Sequence, residues 1–153
     1  MRLSCLDYDQ EQLEALVNNV IKYHDYVIQL QGLDIERLDS NAKIESAIYV
    51  CFISHYGVPI EATHDYDDVF DQISDFAYHL ATDHPFSDAN KRTTVLTVIA
   101  LLHRCGIDLT FKDSDTLTDS ALYHWVKNLV EKEKTYKELA GVLRDNAVPR
   151  VTQ

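Results

Sequence analysis

The residues best suited to chemistry in this chain lie together between His84 and Arg92, where the sequence reads HPFSDANKR. An imidazole, a carboxylate, an amide and two cations fall within this stretch. His84 can accept a proton from an incoming hydroxyl, because imidazole is the side chain used most often as a general base. Asp88 can hold Mg²⁺, which prefers oxygen ligands and often bridges protein and phosphate oxygens. These residue types are those of a phosphoryl- or nucleotidyl-transfer site.

The same stretch stands where a loop meets a predicted helix that begins at Ala89. The first turn of a helix exposes unpaired backbone N–H groups and a positive dipole end, so it favours a phosphate. Arg92 can add a bidentate contact, and Lys91 a second positive charge. A purely structural interpretation is also open. In it, Asp88 caps the helix and pairs with Arg92 four residues later, which stabilises a helix by only a few tenths of a kcal/mol.

The elements that must position this stretch are helices, because apolar residues recur at steps of three, four and seven. The helices are predicted over residues 10–30, 41–55, 66–82 and 89–105, over an apolar stripe at 121–130, and after a capping box at Thr135. The helix over 89–105 is apolar nearly all round, which predicts the buried centre of a bundle. We therefore expect one all-α domain of five to six helices.

The remaining segments are short. Residues 107–111 are predicted to be an extended segment, residues 113–119 a polar turn, and the chain from Pro149 a frayed tail. The acidic residues 65, 67, 68 and 71 are expected to be a solvated, capped helix start. His79 is expected to pair with Asp83 on the helix surface.

Composition limits the classes of partner. The chain has 153 residues, of which 46% are apolar, so it can bury one core. Its formal net charge of −11 disfavours general binding to nucleic acid or to an anionic membrane. The three cysteines are far apart, which favours neither a disulfide framework nor a metal cluster. With no apolar stretch long enough for a signal peptide or a membrane span, a cytoplasmic protein is expected.

The string from His84 to Arg92 resembles the signature of the Fic/Doc (Fido) family, His-x-Phe-x-(Asp/Glu)-(Ala/Gly)-Asn-(Gly/Lys)-Arg. Upstream, residues 44–48 read IESAI and resemble the Glu-Ser-Ala-Leu stretch common in the death-on-curing (Doc-like) branch. The resemblance covers about residues 3–147. It implies a single Fido domain over residues 1–148, with the all-α fold of that family and a small β-flap.

The resemblance also implies a role for each matching position. His84 would be the general base, Asp88 the Mg²⁺ ligand, and Arg92 the partner of an ATP phosphate. Other positions would line the anion cradle. The implied catalytic residues are His84, Asp88, Asn90, Lys91 and Arg92, and the implied ATP-binding residues are Ala89, Asn90, Lys91 and Arg92.

Two positions depart from the motif of adenylyl-transferring members, which continues Gly-Asn-Gly-Arg-x-x-Arg. Lys91 replaces the second Gly and Val95 replaces the second Arg. Both departures resemble Doc toxins, which phosphorylate their target. A long cation at position 91 would fill the space through which an α-phosphate approaches, so that ATP would present its γ-phosphate. The implied activity is therefore transfer of the γ-phosphate of ATP to a Ser or Thr hydroxyl of a cellular protein.

Two alternatives remain open. One is a Fic-type protein adenylyltransferase or other nucleotidyltransferase, and the other is an inactive Fido domain that acts as a binding module. For a Doc-like toxin, the implied first target is elongation factor Tu. The inhibitory pattern (Ser/Thr)-x-x-x-Glu-(Gly/Asn) of many family members does not occur in the sequence. Inhibition is therefore expected in trans, from a Phd-like antitoxin. Residues 55–63 are the expected flap that holds the target segment.

Overall fold

The computed structural model describes residues 3–35, 38, 40–111 and 120–151. Among them lie seven helices and one two-stranded sheet, which confirms the predicted all-α fold class. In chain order the elements are α1 (Gln10–Leu30), α2 (Ala42–Phe52), α3 (Ile60–His64), α4 (Val69–Thr82), α5 (Asn90–Arg104), β1 (Ile107–Leu109), α6 (Ala121–Val130), α7 (Tyr136–Asp145) and β2 (Ala147–Pro149). The polar turn predicted at 113–119 lies outside the described residues.

Local signals in the sequence account for the helix ends that were predicted best. Asp9 accepts the backbone N–H of Gln12, whose side chain accepts that of Asp9, so this capping box starts α1. Gly32, at φ +69°, follows the end of α1. The capping box predicted at Thr135 is confirmed, since Thr135 and Glu138 form it at the start of α7.

Two helices occupy the centre of the bundle. α5, the helix predicted to be central, packs against α1, α4, α6 and β1, and α4 packs against α2, α5, α6 and α7. The polar residue Gln72 of α4 is fully buried as well, because its side chain has partners there. Gln72 accepts the backbone N–H of Leu6 and donates to the carbonyls of Leu6 and Cys51. A polar residue that has such hydrogen-bond partners can be buried in the core, although its residue type alone predicts exposure.

The acidic start of α4 is solvated only in part, because Asp65 and Asp67 are exposed whereas Asp68 and Asp71 are buried. Asp68 caps the helix as predicted, by accepting the N–H groups of Phe70 and Asp71. Yet Asp68 and Asp71 are only 1% and 2% exposed. Arg144 of α7 donates to both oxygens of Asp68 at 2.9 Å, and Lys137 lies 2.8 Å from Asp71. These ion pairs join α7 to α4.

The expected flap has little extended structure. α2 ends at Phe52, where the N-terminal segment pairs with the helix end. The Tyr8 N–H donates to the Phe52 carbonyl at 2.7 Å. A single antiparallel bridge joins His55 and Val58. Ile60, expected to be extended, instead begins the short helix α3. The small sheet of this fold lies elsewhere, between β1 and β2.

The sheet pairs residues that are far apart in sequence. β1 and β2 are antiparallel, with Ile107 opposite Pro149 and Leu109 opposite Ala147. The Arg150 N–H donates to the Gly106 carbonyl at 2.8 Å, so the chain is paired beyond the point where fraying was expected. Among the described residues, none of the helices has the length and hydropathy that a membrane span requires.

Candidate active site

The loop between α4 and α5 carries the candidate residues in a strained backbone. His84 has φ +48° and Ala89 has φ +66°, a left-handed conformation that residues with a Cβ seldom adopt. Such conformations cost of order 1–3 kcal/mol each and persist only where the surroundings impose them. The contacts that impose them come from Phe86 and Asn90.

Phe86 anchors the middle of the loop. Its ring is buried and stacks on His24 of α1, with ring centroids 3.8 Å apart and planes 5° apart. Phe86 therefore packs the middle of the loop against α1. His24 was not expected to support the loop, although it occupies the position between Val20 and Val27 on the buried stripe of α1.

Asn90 holds the loop through its side-chain amide. Its Oδ1 accepts the Phe86 N–H at 3.0 Å and its Nδ2 donates to the Phe86 carbonyl at 2.9 Å. These two bonds fix the amide, because a flipped amide would place donor against donor. The same Nδ2 lies 3.5 Å from Nδ1 of His84. Asn90 therefore positions the loop and His84, and its backbone N–H remains for an anion.

The first turn of α5 has no side-chain cap. Asp9, Asp68, Ser120 and Thr135 cap α1, α4, α6 and α7, but Ala89 stands at the same position of α5. No acidic residue lies in the first turn of α5. Its N–H groups and dipole therefore present an uncompensated positive end to the solvent.

The structural interpretation of Asp88 and Arg92 was wrong. Asp88 does not cap α5, and its Oδ1 accepts the N–H of the adjacent Ala89 at 2.7 Å. Within the part of the chain that the structure describes, Asp88, Lys91 and Arg92 form no ion pair with one another or with any other residue. Three charged groups thus stand beside the uncapped helix start.

One cavity of about 240 Å³ joins these groups. It is smaller than the roughly 300–1,000 Å³ of sites that enclose a whole small molecule, which suits the phosphate end of a larger ligand. All six predicted site residues line it, so the structure brings them together, while their roles stay predictions. The lining residues are His84, Ser87, Asp88, Ala89, Asn90, Lys91, Arg92 and Tyr123.

Two residues of this region were missed by sequence reasoning. Tyr123, in the first turn of α6, lines the cavity from a distant part of the chain. Lys43 of α2 places its Nζ 3.4 Å from the His84 carbonyl, beside the strained residue. Nothing local in the sequence marks either of them, because both reach the loop through helix packing. Lys43 adds a third cation near the cavity of a protein whose net charge is −11.

A comparison with known protein families matches the part of the chain that contains the loop from His84 to Arg92. A model of the Fic/DOC family matches residues 10–102, more than half of the chain. The match runs from α1 through most of α5 and includes the whole loop, whereas Tyr123 lies beyond it. A search of curated proteins found no match.

Proposed function

This chain belongs to the Fic/DOC family, and from that membership we propose that it is a Doc-like protein kinase. It is a Fido-domain protein, and the family comprises transferases that act on ATP. In the proposed reaction it transfers the γ-phosphate of ATP to a Ser or Thr hydroxyl of a cellular protein.

The observation that carries the proposal is the uncapped start of α5 beside Asp88, Lys91 and Arg92. The negative charge of a triphosphate would balance the positive charge of this helix end and of its two cations. Arg92 can grip a phosphate in a bidentate manner, and Lys91 can neutralise another one. The backbone N–H groups of α5 would supply further hydrogen bonds to phosphate oxygens.

His84 takes the proton in this scheme. The hydroxyl oxygen of the target attacks the γ-phosphorus, the bond from that phosphorus to the β–γ bridging oxygen breaks, and ADP leaves. The hydroxyl proton passes to the imidazole of His84. The carboxylate of Asp88 is exposed and fits Mg²⁺, because Mg²⁺ commonly takes one carboxylate plus phosphate oxygens. When bound there, the ion would neutralise developing phosphate charge.

Two positions favour phosphate transfer over adenylyl transfer. Val95 stands at the position where adenylyl-transferring members carry Arg. It is 1% exposed and belongs to the hydrophobic core. An arginine would have to leave the core to reach a nucleotide. Lys91 lines the cavity near the helix start and occupies space that a Gly would leave open.

Labelled ATP tests the activity directly. We expect label from γ-labelled ATP, and none from α-labelled ATP, to appear on a protein of a bacterial lysate incubated with this chain. Label from the α position alone would establish the adenylyltransferase instead. No label from either position would favour a binding module. The identity of the modified band tests the further proposal that elongation factor Tu is the target. We also propose a Phd-like antitoxin as the inhibitor and the cytoplasm as the place of action.

Lys91→Gly is expected to abolish most γ-phosphate transfer. The substitution opens the space beside the helix start and removes a charge from the phosphate site, so weak transfer from the α-phosphate becomes accessible. Lys91→Met is the matched variant, since it keeps most of the length and loses only the charge. If Lys91→Gly transferred γ-phosphate as fast as the unaltered chain, Lys91 would have no part in choosing the phosphate.

Arg92→Ala is expected to weaken ATP binding at least tenfold, because a bidentate charged contact is among the stronger hydrogen-bonding arrangements. Asp88→Ala should weaken only the binding that depends on Mg²⁺. Titration calorimetry with and without Mg²⁺ separates the two effects. Arg104→Ala, in the last turn of the same helix, is the control. Unchanged ATP affinity in both site variants would place the phosphate cradle elsewhere.

A further inference from the structure

We propose a Zn²⁺ site formed by Cys51 of α2 with Asp75 and His79 of α4. It is separate from the cavity at the start of α5 and does not depend on the proposed function. One ligand atom from each of the three side chains lies within 4.8 Å of the other two. Asp75 and His79 are four residues apart and share one face of α4, and Cys51 faces them from the adjacent helix.

The spacing of these atoms is compatible with a metal. Zinc bonds of about 2.0–2.3 Å in a tetrahedron place neighbouring ligand atoms roughly 3.3–3.8 Å apart. Here His79 Nε2 lies 3.5 Å from Asp75 Oδ1, and the Cys51 thiol donates a hydrogen bond to Asp75 Oδ2 across 3.9 Å. Both separations are close to the tetrahedral range, so an ion that replaces the thiol proton and its hydrogen bond requires small shifts of the three side chains.

The ligand types select the ion. Thiolate and imidazole favour Zn²⁺ over Mg²⁺ or Ca²⁺, which prefer sites made of oxygen ligands alone. The phenol of Tyr66 donates to Asp75 Oδ2 at 2.6 Å, and such a bond orients a carboxylate ligand. Three protein ligands leave a fourth position for water, as in zinc sites with an open position.

An ion can reach the site from solvent. Asp75 and His79 line a cavity of about 460 Å³, together with Tyr78, Tyr136 and the lysines 132 and 134. Cys51 is fully buried and burial raises the pKa of its thiol to about 12, so ion binding must displace the thiol proton to solvent. The thiolate and the carboxylate then neutralise Zn²⁺, and the nearby lysines do not oppose the neutral complex. Binding would tie α2 to α4.

Cobalt titration of the metal-free chain tests this site, because Co²⁺ reports a thiolate ligand by a near-ultraviolet charge-transfer band. We expect saturable binding of one Co²⁺, with that band, and displacement by Zn²⁺. His79→Ala and Cys51→Ala should each weaken binding at least a hundredfold, and Cys51→Ala should remove the band. Tyr66→Phe should weaken it about 10–100-fold, as loss of an orienting partner does.

The matched control is His103→Ala. His103 also pairs with a carboxylate, that of Asp108 at 2.8 Å, but it is exposed and, among the described residues, belongs to no cluster of three such ligands. Its loss should leave binding unchanged. Thermal melts of each metal-free variant separate loss of a ligand from loss of the fold, and His79, which is 34% exposed, can be replaced with little effect on packing. Absence of the band, or equal binding by His79→Ala and the unaltered chain, would overturn the proposal.

Discussion

Replacing His84 by alanine is expected to lower phosphate transfer roughly 10²–10⁴-fold, the range that a general base contributes, while ATP still binds. His84 is exposed at the rim of the cavity, and its imidazole is held near Asn90 rather than buried in the core. In the proposed scheme the cation contacts to phosphate come from other residues. Loss of the imidazole should therefore slow the chemical step and spare the affinity. Single-turnover transfer and ATP titration measure the two quantities separately.

A second variant tests whether a disturbed backbone, rather than loss of the imidazole, explains the result for His84→Ala. His84 has φ +48°, and alanine tolerates this conformation less well than asparagine does. His84→Asn keeps the backbone in place without a comparable base, so it should lose transfer as His84→Ala does. His103→Ala, on a distant surface, should transfer at the rate of the unaltered chain. Equal losses of ATP affinity and of transfer in both His84 variants would assign His84 to binding or to the structure of the loop.

The proximity of the candidate site residues could be predicted because they are contiguous. The nine residues from His84 to Arg92 carry the candidate base, the carboxylate and two cations, so their proximity needs no knowledge of packing. The same holds for α1 and α7, whose capping boxes are local signals. Periodicity then places the helix between such ends within a few residues.

Features that depend on distant partners could not be predicted. Tyr123 reaches the cavity only because α6 packs against α5, and β2 finds β1 across α6 and α7. Charge misleads in the same way. Asp68 and Asp71 look like a solvated helix start, but the residue that compensates them, Arg144, is more than 70 positions away. The sequence shows which residues are charged, but the fold decides which of them form pairs.

That pairing leads to the largest expected effect on stability. Arg144→Ala should lower the free energy of unfolding by about 3 kcal/mol, the low end of the roughly 3–5 kcal/mol lost when one partner of a buried ion pair is removed. Asp68 would keep its backbone hydrogen bonds but lose both guanidinium contacts while only 1% exposed. The low end applies because Arg144 is itself 26% exposed, so water can reach part of the gap. Urea unfolding at neutral pH measures the loss.

Two further variants separate charge from packing. Arg144 also lies over the ring of Phe70, 5.6 Å from its centroid, so alanine removes some packing as well. Arg144→Lys keeps a charge without the two-pronged contact and should lose less than Arg144→Ala. Lys134→Ala removes a cation from an exposed pair with Glu138, four residues on, and should cost less than about 0.5 kcal/mol. Equal losses for Lys134→Ala and Arg144→Ala would refute the buried ion pair.

The pH dependence of this loss identifies the carboxylate responsible. Burial alone would raise the pKa of Asp68, but the hydrogen bonds from Arg144 and from the N–H groups of Asp71 and Phe70 outweigh it and hold the pKa below its usual range. A carboxyl with a lowered pKa stabilises the fold above its unfolded pKa of about 3.9, and this contribution disappears as the pH falls through the folded value. Without Arg144 the pKa of Asp68 must rise, because burial is then opposed only by the backbone bonds. The unfolded pKa is common to both chains, so the stability difference between the unaltered chain and Arg144→Ala should be widest near neutral pH. It should narrow as the pH falls from the raised folded pKa of Asp68 in the variant towards its lowered folded pKa in the unaltered chain. A difference that stayed constant down to the pH of acid unfolding would mean that Arg144 acts through its packing on Phe70 and not through Asp68.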